Sequence, residues 1–207
     1  MARRHFDVTQ GPLFKKTLLY TIPIILTSIL QLLFNAADLI VVGSASEIYV
    51  AAVGATGAVT NLIVNLFIGL GSGISVVTAQ SLGAKDYKST QNTVHTAIPL
   101  AIIGGGFLTI VGVFIATPML KAMGTPEDVI EYSAIYMRLY FCGMIPNLIY
   151  NFGAAILRAT GDTKGPLYYL TIAGVINVIL NFVFVKAFKM TVDGVAVATV
   201  ISQSVSA

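Results

Sequence analysis

Long apolar runs, separated by short polar turns, set the pattern of this chain. The runs cover roughly residues 17–43, 51–82, 94–118, 129–157 and 166–188, and a sixth begins at 194 and reaches the last residue at 207. Each of the first five exceeds the roughly 20 residues that a bilayer crossing needs. Their apolar positions are continuous rather than alternating, which predicts helices and not a barrel. The breaks carry turn chemistry: residues 83–92 (GAKDYKSTQN), 124–126 (GTP), 158–165 (RATGDTKG) and 189–193. Thr125 is placed to cap the fourth helix, with Pro126 at its first position. The pattern predicts an all-α membrane protein, a bundle of six transmembrane helices forming one unit over residues 1–207. The sixth run stops without an aromatic belt or basic flank, so the expectation is a truncated sixth helix in a fragment of a longer parent.

Composition strengthens the membrane reading. The 207 residues are 56% apolar and 10% charged, where a soluble domain carries about 25% charged residues. Mean hydropathy is +0.86. The net charge of +3 sits mostly in short loops and needs no nucleic-acid partner. With the N-terminus cytoplasmic, the inner segments hold Arg3, Arg4, Lys15, Lys16, Lys85, Lys88, Arg158 and Lys164, and the outer ones only Lys121, Lys186 and Lys189. That asymmetry predicts a multi-pass protein of the cell membrane with its N-terminus inside. The first ten residues are short and partly charged, so no cleavable signal is expected. Cys142 is the lone cysteine, so no disulfide forms within the chain. His5 and His95 are far apart, and no HExxH, CxxC or GxSxG occurs. Neither enzymatic chemistry nor a cofactor is expected.

The chemistry concentrates in a few polar positions inside the spans. Asp38 is the one acid set deep within an apolar run, Glu131 lying only at the edge of the fourth, and such a group costs about 2.5–3.5 kcal/mol at mid-helix. Gln31, Asn35 and Asp38 recur at i, i+4 and i+7, which places them on one helical face. Asn61 and Asn65, Asn147 and Asn151, and Asn177 and Asn181 each lie four apart. Amides in lipid need partners, so these faces are expected to point into the bundle, either lining a cavity or only holding helices together. Asp38 with Asn177 and Asn181 offers hard oxygen ligands to a small cation such as Na⁺. The same carboxylate can instead carry a proton, because burial disfavours its charged form. Pro23 bends the first helix and is a candidate hinge. Arg138 is the other intramembrane charge, free to pair, to bind an anion or to snorkel. Gly69 and Gly73, with Gly104 to Gly106, predict close helix packing.

Several stretches resemble the N-terminal half of the MATE (multidrug and toxic compound extrusion) family. They are residues 11–16 (GPLFKK), 20–23, 34–43 (FNAADLIVVG), 51–58 (AAVGATGA), 79–86 (AQSLGAKD), 124–126 (GTP), 155–162 (AILRATGD), 177–181 (NVILN) and 194–203 (GVAVATVISQ), in family order. The resemblance implies one six-helix lobe of a twelve-helix, two-lobe transporter, with the C-terminal lobe of the parent missing and the fragment inactive alone. It implies multidrug efflux: export of organic cations or drugs in exchange for H⁺ or Na⁺, by a protein with membrane lipid around it. Mapped by motif, the cation site would be Asp38, Asn177, Asn181 and Thr199. Many members carry Asp where this chain has Asn181, which leaves Asp38 as the only charge and the ion open. A lipid-linked oligosaccharide flippase of the same superfamily is an alternative, though it would be expected to line its cavity with more arginines than Arg138. A small helical scaffold or channel subunit is another.

Overall fold

The computed structural model describes residues 12–207. Arg3, Arg4, His5 and Gly11, used above for orientation and resemblance, lie outside the described residues. Seven α-helices and one π-helical turn follow in order: α1 Leu13–Gly43, α2 Glu47–Gly83, α3 Tyr87–Ala122, α4 Glu127–Cys142, α5 Met144–Ala159, α6 Lys164–Phe182, the π turn Val183–Ala187 and α7 Val192–Ser206. No strand occurs among the described residues. α1, α2, α3 and the α6–π segment are each long and apolar enough to cross a bilayer.

The fourth run differs from the sequence expectation. Residues 129–157 are not one helix but α4 and α5, bent by 51° at Gly143. The cause is Pro146, which lacks an N–H and whose ring clashes with the carbonyl four residues back, at Cys142. Gly143 also allows α7 to approach, since a Cβ there would lie 3.0 Å from the Gln203 Oε1. The Phe141 carbonyl, beside the break, instead accepts from the Thr109 hydroxyl of α3 at 2.7 Å.

Helix ends follow local chemistry. α2, α3 and α5 close with paired 6→1 and Schellman-type bonds, for example Asp86 N–H to Ser81 O and Gly161 N–H to Arg158 O. Gly124 and Gly161 supply the left-handed backbone at two of these ends. Asp86 caps α3 by accepting from Ser89 N–H at 2.9 Å. The expected Thr125 cap is absent: Pro126 occupies the cap position of α4, without a side-chain bond.

The helices pack as a bundle in which α4 and α5 lie between α2 and α3, while α7 joins α4 to α6. One apolar cluster joins Val41, Ala52, Tyr136, Val185 and Val195 at one end, and another joins Val59, Leu120, Met137 and Phe141. Gly105 brings α3 against α5 most closely: a Cβ there would sit 2.7 Å from the Ile145 Cα and 2.9 Å from its nitrogen. Backbone cannot give way as a side chain can. Gly105→Ala is therefore expected to destabilise the bundle by about 1–3 kcal/mol, read as a lower thermal midpoint in detergent. Gly106→Ala, whose Cβ meets nothing within 4 Å, is the silent control. The Gly69 and Gly73 pair does not pack a helix in this unit, because a Cβ at either position meets nothing within 4 Å.

Candidate functional site

α1 and α6 meet where Gly174 lies under the Phe34 ring, close enough that a Cβ at 174 would overlap it. One turn beyond Phe34 lies Asp38, and one and two turns beyond Gly174 lie Asn177 and Asn181. The glycine thus lets the carboxylate of one helix reach the amides of the other. Asn181 Nδ2 donates to Asp38 Oδ1 and, at 3.1 Å, to Asn177 Oδ1. Asn177 Nδ2 donates to Thr199 Oγ1 of α7 at 3.4 Å. The Thr199 hydroxyl in turn donates to the Val195 carbonyl of its own helix at 2.9 Å. Asp38 is 7% exposed and Asn181 fully buried.

These four residues, proposed from spacing and resemblance, therefore stand in one cluster drawn from three helices. The donor set is oxygen-rich and carries one formal charge. Asn181 Oδ1 is buried without a hydrogen-bond partner. A buried carbonyl oxygen normally finds a donor, and an orphan of this kind is rare. A lone acceptor beside a carboxylate fits a small cation.

The other amides distribute differently. Gln31, Asn35, Asn61 and Asn65 are exposed on this unit rather than pointing into the bundle. Asn65 satisfies itself by donating to the Asn61 carbonyl at 2.8 Å, one turn back, so it needs no neighbouring helix. Asn151 likewise donates to the Asn147 carbonyl at 2.8 Å. Of the six candidate cavity residues, Gln31 and Asn151 line a cleft of about 400 Å³ between α1, α2 and α5, and Asn35, Asn61, Asn65 and Asn147 do not. The arginine that lines this cleft is Arg158. Arg138 is exposed and donates to the Thr117 hydroxyl at 3.0 Å. Pro23 is buried in an unbroken α1, with the Thr27 hydroxyl donating to its carbonyl at 2.8 Å.

Two residues near Asp38 escaped the reading of the sequence. Tyr136 of α4 is buried in the apolar cluster that holds Val41 and Val42 of α1, one turn from Asp38, and Tyr140 packs against the same cluster. Their rings stack with centroids 6.2 Å apart. The signal was the spacing of Tyr132, Tyr136 and Tyr140, four residues apart on one face of a helix.

The MatE family model matches residues 23–183. The chain belongs to the MatE family. It is 30% identical over 207 residues to the Probable multidrug resistance protein YpnP of Bacillus subtilis, covering 97% of this chain and 45% of that protein. It is 34% identical to Probable multidrug resistance protein YoeA of the same organism, covering 89% of this chain and 41% of that one. An FAD transporter of Shewanella oneidensis is 26% identical over 98% of this chain and 45% of its own length. Among solved structures, MATE in the bent conformation superposes with a TM-score of 0.91 at 28% identity, covering all of this chain and 46% of that one. An outward-facing multidrug resistance MATE transporter of the MOP superfamily gives a TM-score of 0.90 at 28% identity, again over all of this chain and 46% of that one. The MATE chain thus spans about half the length of the curated relatives it matches, consistent with an N-terminal lobe. MATE proteins are multi-pass membrane transporters rather than enzymes, and these likenesses do not favour the flippase or scaffold alternatives.

Proposed function

We propose that this MATE lobe carries the coupling site of a secondary active exporter, which moves small organic compounds, organic cations among them, out of the cell in exchange for H⁺ or Na⁺. The observation that carries the reading is Asp38: a carboxylate buried in a bilayer-crossing helix, held by Asn181, with an orphaned amide oxygen beside it. A buried acid is costly in a membrane and is kept for ion movement. Occupation by a cation neutralises it and changes which packing of α1 against α6 and α7 is preferred, so ligand and ion exchange at the expense of one another. Pro23 removes one intrahelical bond from α1 and supports its bending as the moving part. The protein works with a second lobe of the kind its relatives possess, in the cell membrane, with its N-terminus cytoplasmic.

The test uses the whole protein in liposomes and follows ethidium under an imposed pH gradient or an imposed Na⁺ gradient, each alone. One of the two gradients is expected to accelerate ethidium movement at least about tenfold, which corresponds to roughly 1.4 kcal/mol of coupling. Movement at the same rate with neither gradient would overturn the antiport reading.

A further inference from the structure

We infer that the cleft between α1, α2 and α5 recognises an anionic group, a carboxylate or phosphate, on an organic solute, with the Arg158 guanidinium as its counter-charge. The inference rests on the transport reading above and adds a substrate class to it: organic solutes bearing an anionic group, zwitterions included.

Arg158 stands at the last turn of α5, and the cleft holds no Asp or Glu among its lining residues. Its Nε donates to the Ala154 carbonyl at 3.0 Å. Its terminal nitrogens have no hydrogen-bond or ion-pair partner among the described residues. Guanidinium offers five N–H donors in a planar fork suited to two oxygens of one anion, and among the described residues most of them find no partner. The backbone that carries the fork is fixed, since the Tyr20 hydroxyl donates to the Arg158 carbonyl at 2.8 Å. Ser28, Gln31, Ser72 and Asn151 extend the polar wall. From Tyr20 to Gln31 the cleft follows α1 for about 16 Å, room for a small organic molecule. Asp38 lies a further seven residues along, about 10 Å away, and is buried, so it does not neutralise the arginine.

A cation-only pocket would line itself with acids and would keep an arginine out or paired. This cleft, though Tyr20 and Tyr150 line it too, has no acid in its lining and presents an arginine. The same chemistry fits a lipid headgroup phosphate, so the test separates the two sources. The full-length protein is placed in phosphatidylcholine nanodiscs, and the binding of riboflavin and of riboflavin 5′-phosphate is read by fluorescence anisotropy. The pair differs only in the phosphate. The phosphate ester is expected to bind about tenfold more tightly, the effect of one charge-assisted pair. Arg158→Gln should reduce that preference to within about twofold, while Arg158→Lys keeps part of it, which separates lost charge from lost fold. The binding measurement needs no gradient, so failure of the antiport reading would not mimic failure here. Equal binding of the two flavins, no binding of either, or a preference that survives Arg158→Gln would overturn the inference. The measurement is repeated with phosphatidylglycerol in the nanodiscs, where the preference should persist. Its loss there, with phosphatidylglycerol retained in native mass spectra by the wild type and not by Arg158→Gln, would assign the cleft to a headgroup and overturn it too.

Discussion

Asp38→Asn is expected to uncouple the whole protein while leaving it folded. Asn is nearly isosteric with Asp, and its amide keeps one oxygen to accept from Asn181. Removing the charge also removes the desolvation penalty of a buried carboxylate, so stability should hold or rise. Gradient-driven export should fall to the rate seen without a gradient, a loss of at least about tenfold. Downhill exchange of substrate should remain. The check is export from cells and from proteoliposomes, wild type against variant, at matched expression and thermal midpoint.

Asn181→Leu should have the opposite balance. It strips the buried carboxylate of its nearest donor and leaves Asn177 Oδ1 unpaired. An uncompensated buried polar group costs about 1–3 kcal/mol, and more when it is charged. The variant is expected to unfold at a clearly lower temperature in detergent and to lose coupling as well. The double variant Asp38→Asn with Asn181→Leu should regain part of the lost stability, because the group left stranded is then neutral. Residues in one network show interaction energies of about 0.5–3 kcal/mol in such cycles. Strict additivity of the two changes would mean that the bond contributes nothing.

Much of this could be read from the residues. Hydropathy marks the crossings because lipid leaves the backbone no other donors, and Asp38 stands out because a charge there is expensive. Asn177 and Asn181 declare a shared face by their spacing of four. That they face Asp38 depends on Gly174 under Phe34, a contact between residues 140 positions apart. Thr199 entered only through resemblance, for no spacing links it to α1. The bend at Gly143 had a local cause in Pro146 that the hydropathy pattern conceals, since both halves are apolar. The exposed amides show the limit of helical periodicity: it groups Gln31, Asn35 and Asp38 on one side of α1 without saying how far α6 covers it. Between two arginines, depth in the apolar run favoured Arg138, whereas the tertiary packing leaves Arg158 on the cleft and ties Arg138 to Thr117.

On the function proposed above, Asp38 and its amide partners hold the cation that drives export. The most direct test of that role is simultaneous measurement of substrate movement and of ²²Na⁺ or proton movement in liposomes containing the whole protein. Cation flux opposite to substrate is expected in the wild type, and substrate exchange without that flux in Asp38→Asn. Cation flux that still accompanies export in Asp38→Asn would contradict it.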